Sequence, residues 1–374
     1  MTMWYVIMWT ALMLTGTALV YVSNRVCRFE VVKRQTEGNE KIKAMIGGGT
    51  VFGIFSLVSI WLNFINAIVC IIYFALAWLI CDAVFYMISQ IRGKPFKRYY
   101  AGGAAIILGL TALGAGWYLA HNVWQTNYII SSSKKITPLR IALFSDSHIG
   151  TTFNVDGFAA HIDSIQAQNP DIVIIAGDFV DDDTSREDMI KATRKLGLLK
   201  TSSGVYFVFG NHDKGYYGAA HRGFSGAELV AELQKNGVQV LRDEVRVIGD
   251  SFYLIGRRDF SVEREQGGHR LSMTLLTKDL DKSRFMIVAD HQPTDYANQA
   301  ASGADLVLSG HTHGGQLFPF NQVGKWIGAN DMIYGHEKHK NTDFIVTSGL
   351  SDWAIKFKTG TKSEFVIIDV QPQE

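Results

Sequence analysis

The chain has 374 residues, 47% of them hydrophobic and 19% charged, with 36 Lys plus Arg against 35 Asp plus Glu for a formal net charge of +1. That balance conceals a division, because residues 1–138 hold 12 basic and 4 acidic side chains (+8) and leave 24 basic and 31 acidic (−7) for residues 139–374. A chain this apolar with only 6 Pro is not disordered, its length calls for two domains, and Cys27, Cys70 and Cys81 all lie in the first part, which excludes thiol catalysis, a CxxC zinc knuckle and a disulfide framework from the second.

Residues 3–22 form an uncharged apolar run, long enough at ~1.5 Å per residue to cross a ~30 Å hydrocarbon core. The residues before it carry no positive charge and no small-x-small cleavage site follows, so it reads as a retained anchor and not a signal peptide. A tract from 44 to 90 contains a single charge, Asp82, and is read as two spans, about 44–62 and 66–88, joined near Asn63 and Asn66. Residues 101–120 supply a fourth span whose Gly and Ala, like the GxxxG pair Gly49 and Gly53, suit close helix packing. Asp82 lies near a span end, where a carboxylate reaches interfacial water; a transport role is the rival reading. Arg25, Arg28, Lys33, Arg34, Lys41 and Lys43 follow the first span, and Arg92, Lys94, Lys97 and Arg98 precede the fourth. Both loops are expected to be cytoplasmic, which puts the N-terminus and everything after residue 121 on the extracytoplasmic side of a multi-pass inner-membrane protein.

Residues 121–138 read as a polar linker, and residues 139–374 as an α/β domain. Short apolar runs at 139–144, 171–175, 205–209, 285–288 and 305–308 have the character of buried strands, and 155–168 and 225–236 show helical periodicity, the latter opened by a capping box of Ser225 and Glu228. A polar cluster follows each strand: Ser145-Asp146-Ser147-His148, Gly177-Asp178, Gly210-Asn211-His212-Asp213, Asp290-His291-Gln292-Pro293 and Gly310-His311-Thr312-His313-Gly314-Gly315. The carboxyl ends of strands are where ligand sites assemble in α/β sheets.

Asp, Asn and His are oxygen and imidazole donors suited to Mn, Fe, Zn or Ni. Asp146 with His148, and His311 with His313, can each turn toward one ion if the backbone bends; Asp178 can bridge two ions and Asn211 can complete the second without adding charge. Two ions ~3.5 to 4 Å apart activate a water and clamp the oxygens of an in-line displacement at phosphorus. His212 is then left to protonate a leaving alkoxide or to stabilise phosphoryl charge.

These motifs, in this order, resemble the calcineurin-like metallophosphoesterase superfamily over residues 139–374. The resemblance implies a four-layer α-β-β-α sandwich following the all-α bundle of about four transmembrane helices. It implies Asp146, His148, Asp178 and His313 on one metal, Asp178, Asn211, His291 and His311 on the other, and His212 as the catalytic histidine, with manganese the first choice among the divalent ions. Residues 310–316 and Thr347-Ser348-Gly349-Leu350 are similar to bacterial membrane-associated members proposed to act on phospholipids or envelope phosphodiesters. Those often carry one anchor, where this chain has four apparent spans.

His161, His221, His269, His336 and His339 read as surface residues, Asp181, Asp182 and Asp183 as a solvated acidic loop in which Asp181 is the best candidate for a residue behind the metals, and Tyr216, Tyr217, Trp326 and Trp353 as packing anchors or a substrate wall. Lys356 and Lys358 read as solvated lysines of a terminal strand, with contact to substrate phosphate the rival reading. The expected protein is a membrane-anchored metal-dependent phosphoesterase whose partners are the lipid bilayer and a phosphate ester, with no nucleic acid. The rival is a membrane sensor whose phosphoesterase-like domain binds without turnover.

Overall fold

Strict alternation of side chains along short strands decides the architecture of residues 118–374, because each strand offers one apolar set to each face. The computed structural model describes residues 2–249, 251–264 and 267–373 and divides into two compact units, 1–117 and 118–374.

In the first unit, helices α1 (Thr2–Val26), α2 (Glu30–Gln35), α3 (Glu40–Trp61), α4 (Phe64–Ile91) and the start of α5 (Tyr100–His121) follow one another. Among the described residues α3, α4 and α5 are long and apolar enough to cross a membrane. The break expected near residues 63–66 is the start of α4, where the Asn63 side chain accepts from the Asn66 backbone N–H at 2.9 Å. Two details differ from expectation. Gly49 and Gly53 face open space; the close approaches are at Gly47, where an added Cβ would lie 2.8 Å from Ser23 O, at Gly102 against the Phe29 and Tyr99 rings, and at Gly109 against the Phe74 ring. Asp82 has protein partners as well: it lies 3.0 Å from Arg25 Nε and accepts from the Tyr99 hydroxyl at 2.9 Å, a clasp between α1, α4 and the residue just before α5.

The second unit begins earlier than the expected domain start. Residues 123–132, expected within a linker, form strand β1 (Val123–Ser132), because its partly buried alternate residues pair in parallel with the last strand, β12 (Ser363–Pro372). Between them come β2 (Leu139–Phe144), α6 (Val155–Gln166), β3 (Ile172–Ala176), α7 (Arg186–Leu196), β4 (Val205–Val208), α8 (Ala219–Arg222), α9 (Gly226–Lys235), β5 (Val238–Leu241), β6 (Glu244–Ile248) and β7 (Phe252–Gly256). The chain continues through α10 (Met273–Thr277), β8 (Phe285–Ala289), α11 (Tyr296–Ala301), β9 (Leu306–Ser309), α12 (Val323–Trp326), β10 (Gly335–His339) and β11 (Thr342–Val346). Two six-stranded sheets result, ordered β1-β12-β2-β3-β4-β5 and β10-β11-β9-β8-β7-β6. Strands β2 to β5 run parallel, as do β7, β8, β9 and β11.

Four layers follow from which side chains meet. Ile141, Leu143, Ile172 and Ile174 of the first sheet pack against Leu254, Ile287, Leu306 and Leu308 of the second. The alternate residues Ala142, Phe144, Val173 and Ile175 turn outward onto Phe158, Ile162, Met189 and Leu229 of α6, α7 and α9. On the far side Ile255, Met286, Val288 and Val307 meet Met273, Leu276 and Tyr296 of α10 and α11. The domain is the expected α-β-β-α sandwich, and α9 opens with the expected reciprocal cap of Ser225 and Glu228.

Ile174 is fully buried between the sheets and Ile129 of β1 is 69% exposed. Ile174→Ala should cost about 2–5 kcal/mol in denaturant unfolding, whereas Ile129→Ala should stay within ~0.5 kcal/mol. Equal effects would mean that the core is not where the burial pattern puts it.

Candidate metal centre

The five polar clusters leave the carboxyl ends of β2, β3, β4, β8 and β9, the inner parallel strands of both sheets. Chains leaving a strand normally continue extended or turn through glycine. Here Asp146, His148, Asp178, His311 and His313 adopt positive φ of 50°, 36°, 49°, 71° and 49°. Residues other than glycine avoid this left-handed region at a cost of about 1–3 kcal/mol each, though Asp, Asn and His tolerate it best. Five such residues in one place mark a backbone bent to aim side chains inward. The neighbouring glycines make room for them: a Cβ on Gly177 would lie 2.6 Å from His291 Nδ1, and one on Gly210 or Gly310 would strike the Asp178 or Asp146 carboxylate.

Seven of the eight expected site residues converge in two joined groups. Ligand atoms of Asp146, His148 and His313 lie within 4.8 Å of one another, as do those of Asp178, His291 and His311. His313 Nε2 is 3.6 Å from Asp146 Oδ1, and His291 Nε2 is 3.1 Å from Asp178 Oδ2 and 3.2 Å from Asn211 Oδ1. Asp178 Oδ2 also stands 3.7 Å from His148 Nε2, so it faces both groups. Nitrogen and oxygen ligands each ~2.1 Å from a common ion stand about 3 to 3.5 Å apart, close to these separations. The eighth residue, His212, stands beside them, its ring centroid 5.1 Å from that of His148.

The surrounding groups orient the imidazoles. His148 Nδ1 meets Asp181 Oδ2 at 3.0 Å, His291 Nδ1 meets Ala176 O at 2.7 Å and His313 Nδ1 meets Ser351 O at 3.2 Å. Each contact fixes the ring and turns Nε2 inward, the arrangement that metal-ligating histidines use. His148 Nε2 is buried without a hydrogen-bond partner, which suits a cation and leaves a structural histidine unexplained.

Electrostatics agree. Burial by itself would raise the pKa of Asp146 and Asp178, but nearby imidazoles, His313 foremost for Asp146 and His291 for Asp178, hold both below the usual carboxylate range. In the other direction, burial opposes protonation of His148, yet Asp181 and the two other carboxylates bring it up to about 9. The pocket thus demands positive charge, which divalent cations satisfy in place of protons. Burial pushes His212 down to about 4, so that ring is neutral.

Several residues that matter here differ from expectation or have no role expected of them. Asp181, expected in a solvated acidic loop, is buried against His148. Asp213 is fully buried and accepts from the backbone N–H groups of Asp178, Phe179, Val180 and Gly210 at 2.9, 2.9, 3.1 and 2.7 Å, tying the β3 loop to the β4 loop. Burial and the neighbouring Asp178 raise it to about 7. Arg222 donates to Asp213 O and Asp181 O from beneath the same loops. Lys358, expected as a solvated lysine, is fully buried: its ammonium lies 3.0 Å from Asp352 Oδ1 and donates to Ser348 O at 2.8 Å. Asp352 in turn lies 3.5 Å from His313 Nδ1. A turn between Val346 and β12 carries this pair inward, which spacing along the chain does not reveal. Of the remaining histidines, His221, His269, His336 and His339 are exposed as expected, His336 facing Asp343 at 2.8 Å, while His161 is partly buried against Phe153.

The calcineurin-like phosphoesterase model matches residues 139–315. An uncharacterized metallophosphoesterase of Aquifex aeolicus is 31% identical over 199 residues, covering 51% of this chain and 70% of that protein. One of Campylobacter jejuni is 27% identical over 312 residues, covering 81% and 78%. A Danio rerio protein named transmembrane protein with metallophosphoesterase domain is 30% identical over 244 residues, covering 63% of this chain and 54% of the relative. With that family's motifs standing at the ends of the inner strands of both sheets, the chain belongs to the calcineurin-like phosphoesterase family.

Proposed function

We propose that the chain is a membrane-anchored, two-metal phosphoesterase that hydrolyses phosphodiesters or lipid-linked phosphates of the cell envelope. The observation that carries this reading is the position of Asp178 Oδ2, 3.7 Å from His148 Nε2 and 3.1 Å from His291 Nε2. One carboxylate oxygen flanked by two ligand groups suits a bridge between two cations. In this reading Asp146, His148, Asp178 and His313 hold one, and Asp178, Asn211, His291 and His311 the other. Oxygen and imidazole donors without thiolate suit manganese first, with iron, zinc and nickel chemically admissible. When bound, such a pair of ions supplies a water made nucleophilic near neutral pH and positive charge for the oxygens of an in-line displacement at phosphorus.

The chain's own residues do the rest. The His212 backbone N–H donates to Asp178 Oδ1 at 2.8 Å, which fixes the ring's attachment point relative to the shared carboxylate. Tyr216 and Trp353 flank the imidazole with ring centroids 4.9 and 5.3 Å away. Held neutral, His212 acts through an N–H directed at a phosphoryl or leaving oxygen and not as a standing positive charge. Asn211 is oriented by its amide, which donates to the Tyr216 hydroxyl at 2.9 Å and leaves its Oδ1 toward His291.

Membrane association follows from α3, α4 and α5. Counting α1 as a fourth span, the basic loops at 25–43 and 92–98 support an extracytoplasmic catalytic domain. Confinement at the bilayer raises the encounter rate with substrates carried there, which favours envelope phosphates over free metabolites.

Hydrolysis of bis-p-nitrophenyl phosphate by the full chain with manganese tests the reading. His212→Ala should lower kcat by about 10²- to 10⁴-fold with bound metal unchanged. A wild type as inert as this variant would instead support a binding module. Asp178→Asn should reduce manganese per chain, measured by elemental analysis, from two ions to one or none; full retention of both ions would remove the shared carboxylate from the centre.

A further inference from the structure

Thirteen large apolar side chains are exposed among the described residues of 118–374, and eight of them lie on loops that run on from site residues or pack beside His212. Tyr216, Tyr217 and Trp353 lie on the loops beside His212, and five more lie between residues 318 and 327, directly after the histidine-bearing turn. The other five are scattered along the chain at residues 118, 129, 198, 247 and 275.

This lip is a built surface. Phe320 N donates to Leu317 O at 2.8 Å, Val323 N to Phe320 O at 3.1 Å and Ile327 N to Val323 O at 3.0 Å, so successive turns hold the apolar side chains outward. Gln316 joins the lip to the site: its N–H donates to His313 O at 3.2 Å, its carbonyl accepts from Thr359 and Gly360, and its amide donates to Ile355 O beside Trp353. Trp326 is nevertheless 74% exposed and Ile327 52%. Exposed aromatic clusters of this kind mark interaction surfaces.

Composition selects the occupant. Residues 314–330 contain one charged side chain, Lys325, which is paired with Glu337 at 3.3 Å, so the lip carries no unmatched charge, and Trp and Phe predominate among its exposed groups. Exposed aromatic side chains with little net charge suit the headgroup region of a bilayer, where Trp and Tyr rings are accommodated at the boundary of apolar and polar layers. The chain carries its own membrane-crossing helices, so a bilayer is the apolar phase to which this domain is always tethered. We propose that the lip formed by residues 317–329 and Trp353 docks into the headgroup region of the membrane that holds the chain's helices, presenting the metal centre to phosphate esters at that surface. The inference rests on membrane association and not on the hydrolytic reading.

The test uses the full chain with Cys27, Cys70 and Cys81 replaced by serine and a single labelling site introduced as Phe320→Cys, Trp326→Cys or Leu198→Cys. Each is labelled with bimane and reconstituted into phosphatidylethanolamine–phosphatidylglycerol vesicles containing acyl-chain-brominated lipid. Bimane at 320 and 326 should be quenched at least twofold by the brominated lipid, and bimane at 198 should not. Ile327→Cys replaces Trp326→Cys if the latter lacks a cooperative unfolding transition. Unquenched labels that stay open to an aqueous quencher overturn the proposal. So does protection that disappears when the protein is diluted with lipid, which assigns the lip to a second copy, and so does protection at every dilution without bromine quenching, which assigns it to protein. Turnover of bis-p-nitrophenyl phosphate plays no part in these readings, so failure of docking and failure of hydrolysis are separable.

Discussion

Two buried carboxylates govern the centre. Asp146 is fully buried and Asp178 is 1% exposed, and an ionised carboxylate taken out of water is tolerable only when hydrogen-bond donors and positive charge surround it. Asp146 accepts from the His311 backbone N–H and the Ser145 hydroxyl, and Asp178 from the His212 backbone N–H. To deliver those N–H groups and leave the carboxylates' other edges facing imidazoles, the chain must bend sharply just past each strand. The left-handed residues and the adjacent glycines are the local cost of that demand, and the two-sheet core is what keeps them in place.

The same constraint explains why the loops are tied to one another as well as to their strands. Asp213 gathers four backbone N–H groups from two loops, and Arg222 closes the same region from below. Behind His313, the buried Lys358 meets the Asp352 carboxylate, which would otherwise add an unmatched negative charge near the centre. Most charged groups around the centre are answered by another within hydrogen-bonding or ion-pair reach, whereas His148 Nε2 is left without a hydrogen-bond partner.

Much of this was legible along the chain because strand-end chemistry is local. The runs at 139–144, 171–175, 205–209, 285–288 and 305–308 became β2, β3, β4, β8 and β9 within a residue, and their polar followers converge. Less legible were elements whose reason lies far away. Strand β1 has a half-polar face and is stabilised by a partner 240 residues later in the chain, Val123 facing Ser363, so local composition reads as a linker. Asp213 stands in the Gly-Asn-His-Asp cluster without an expected role, and Lys358 reads as a solvated lysine of a terminal strand, since burial depends on what folds over them. Gly49 and Gly53 had the spacing of a helix contact without a neighbour to use it.

The position of β1 also bears on how the catalytic domain is prepared apart from its helices. The strand contributes ten paired positions along β12, from Val123 opposite Ser363 to Ser132 opposite Pro372, and begins one residue after α5 ends at His121. Trimming the polypeptide at residue 139, where family similarity begins, would bare the whole outer flank of β12 and invite intermolecular strand addition and precipitation. A fragment starting near Asn122 keeps that flank capped and is the better starting material for enzymology in water.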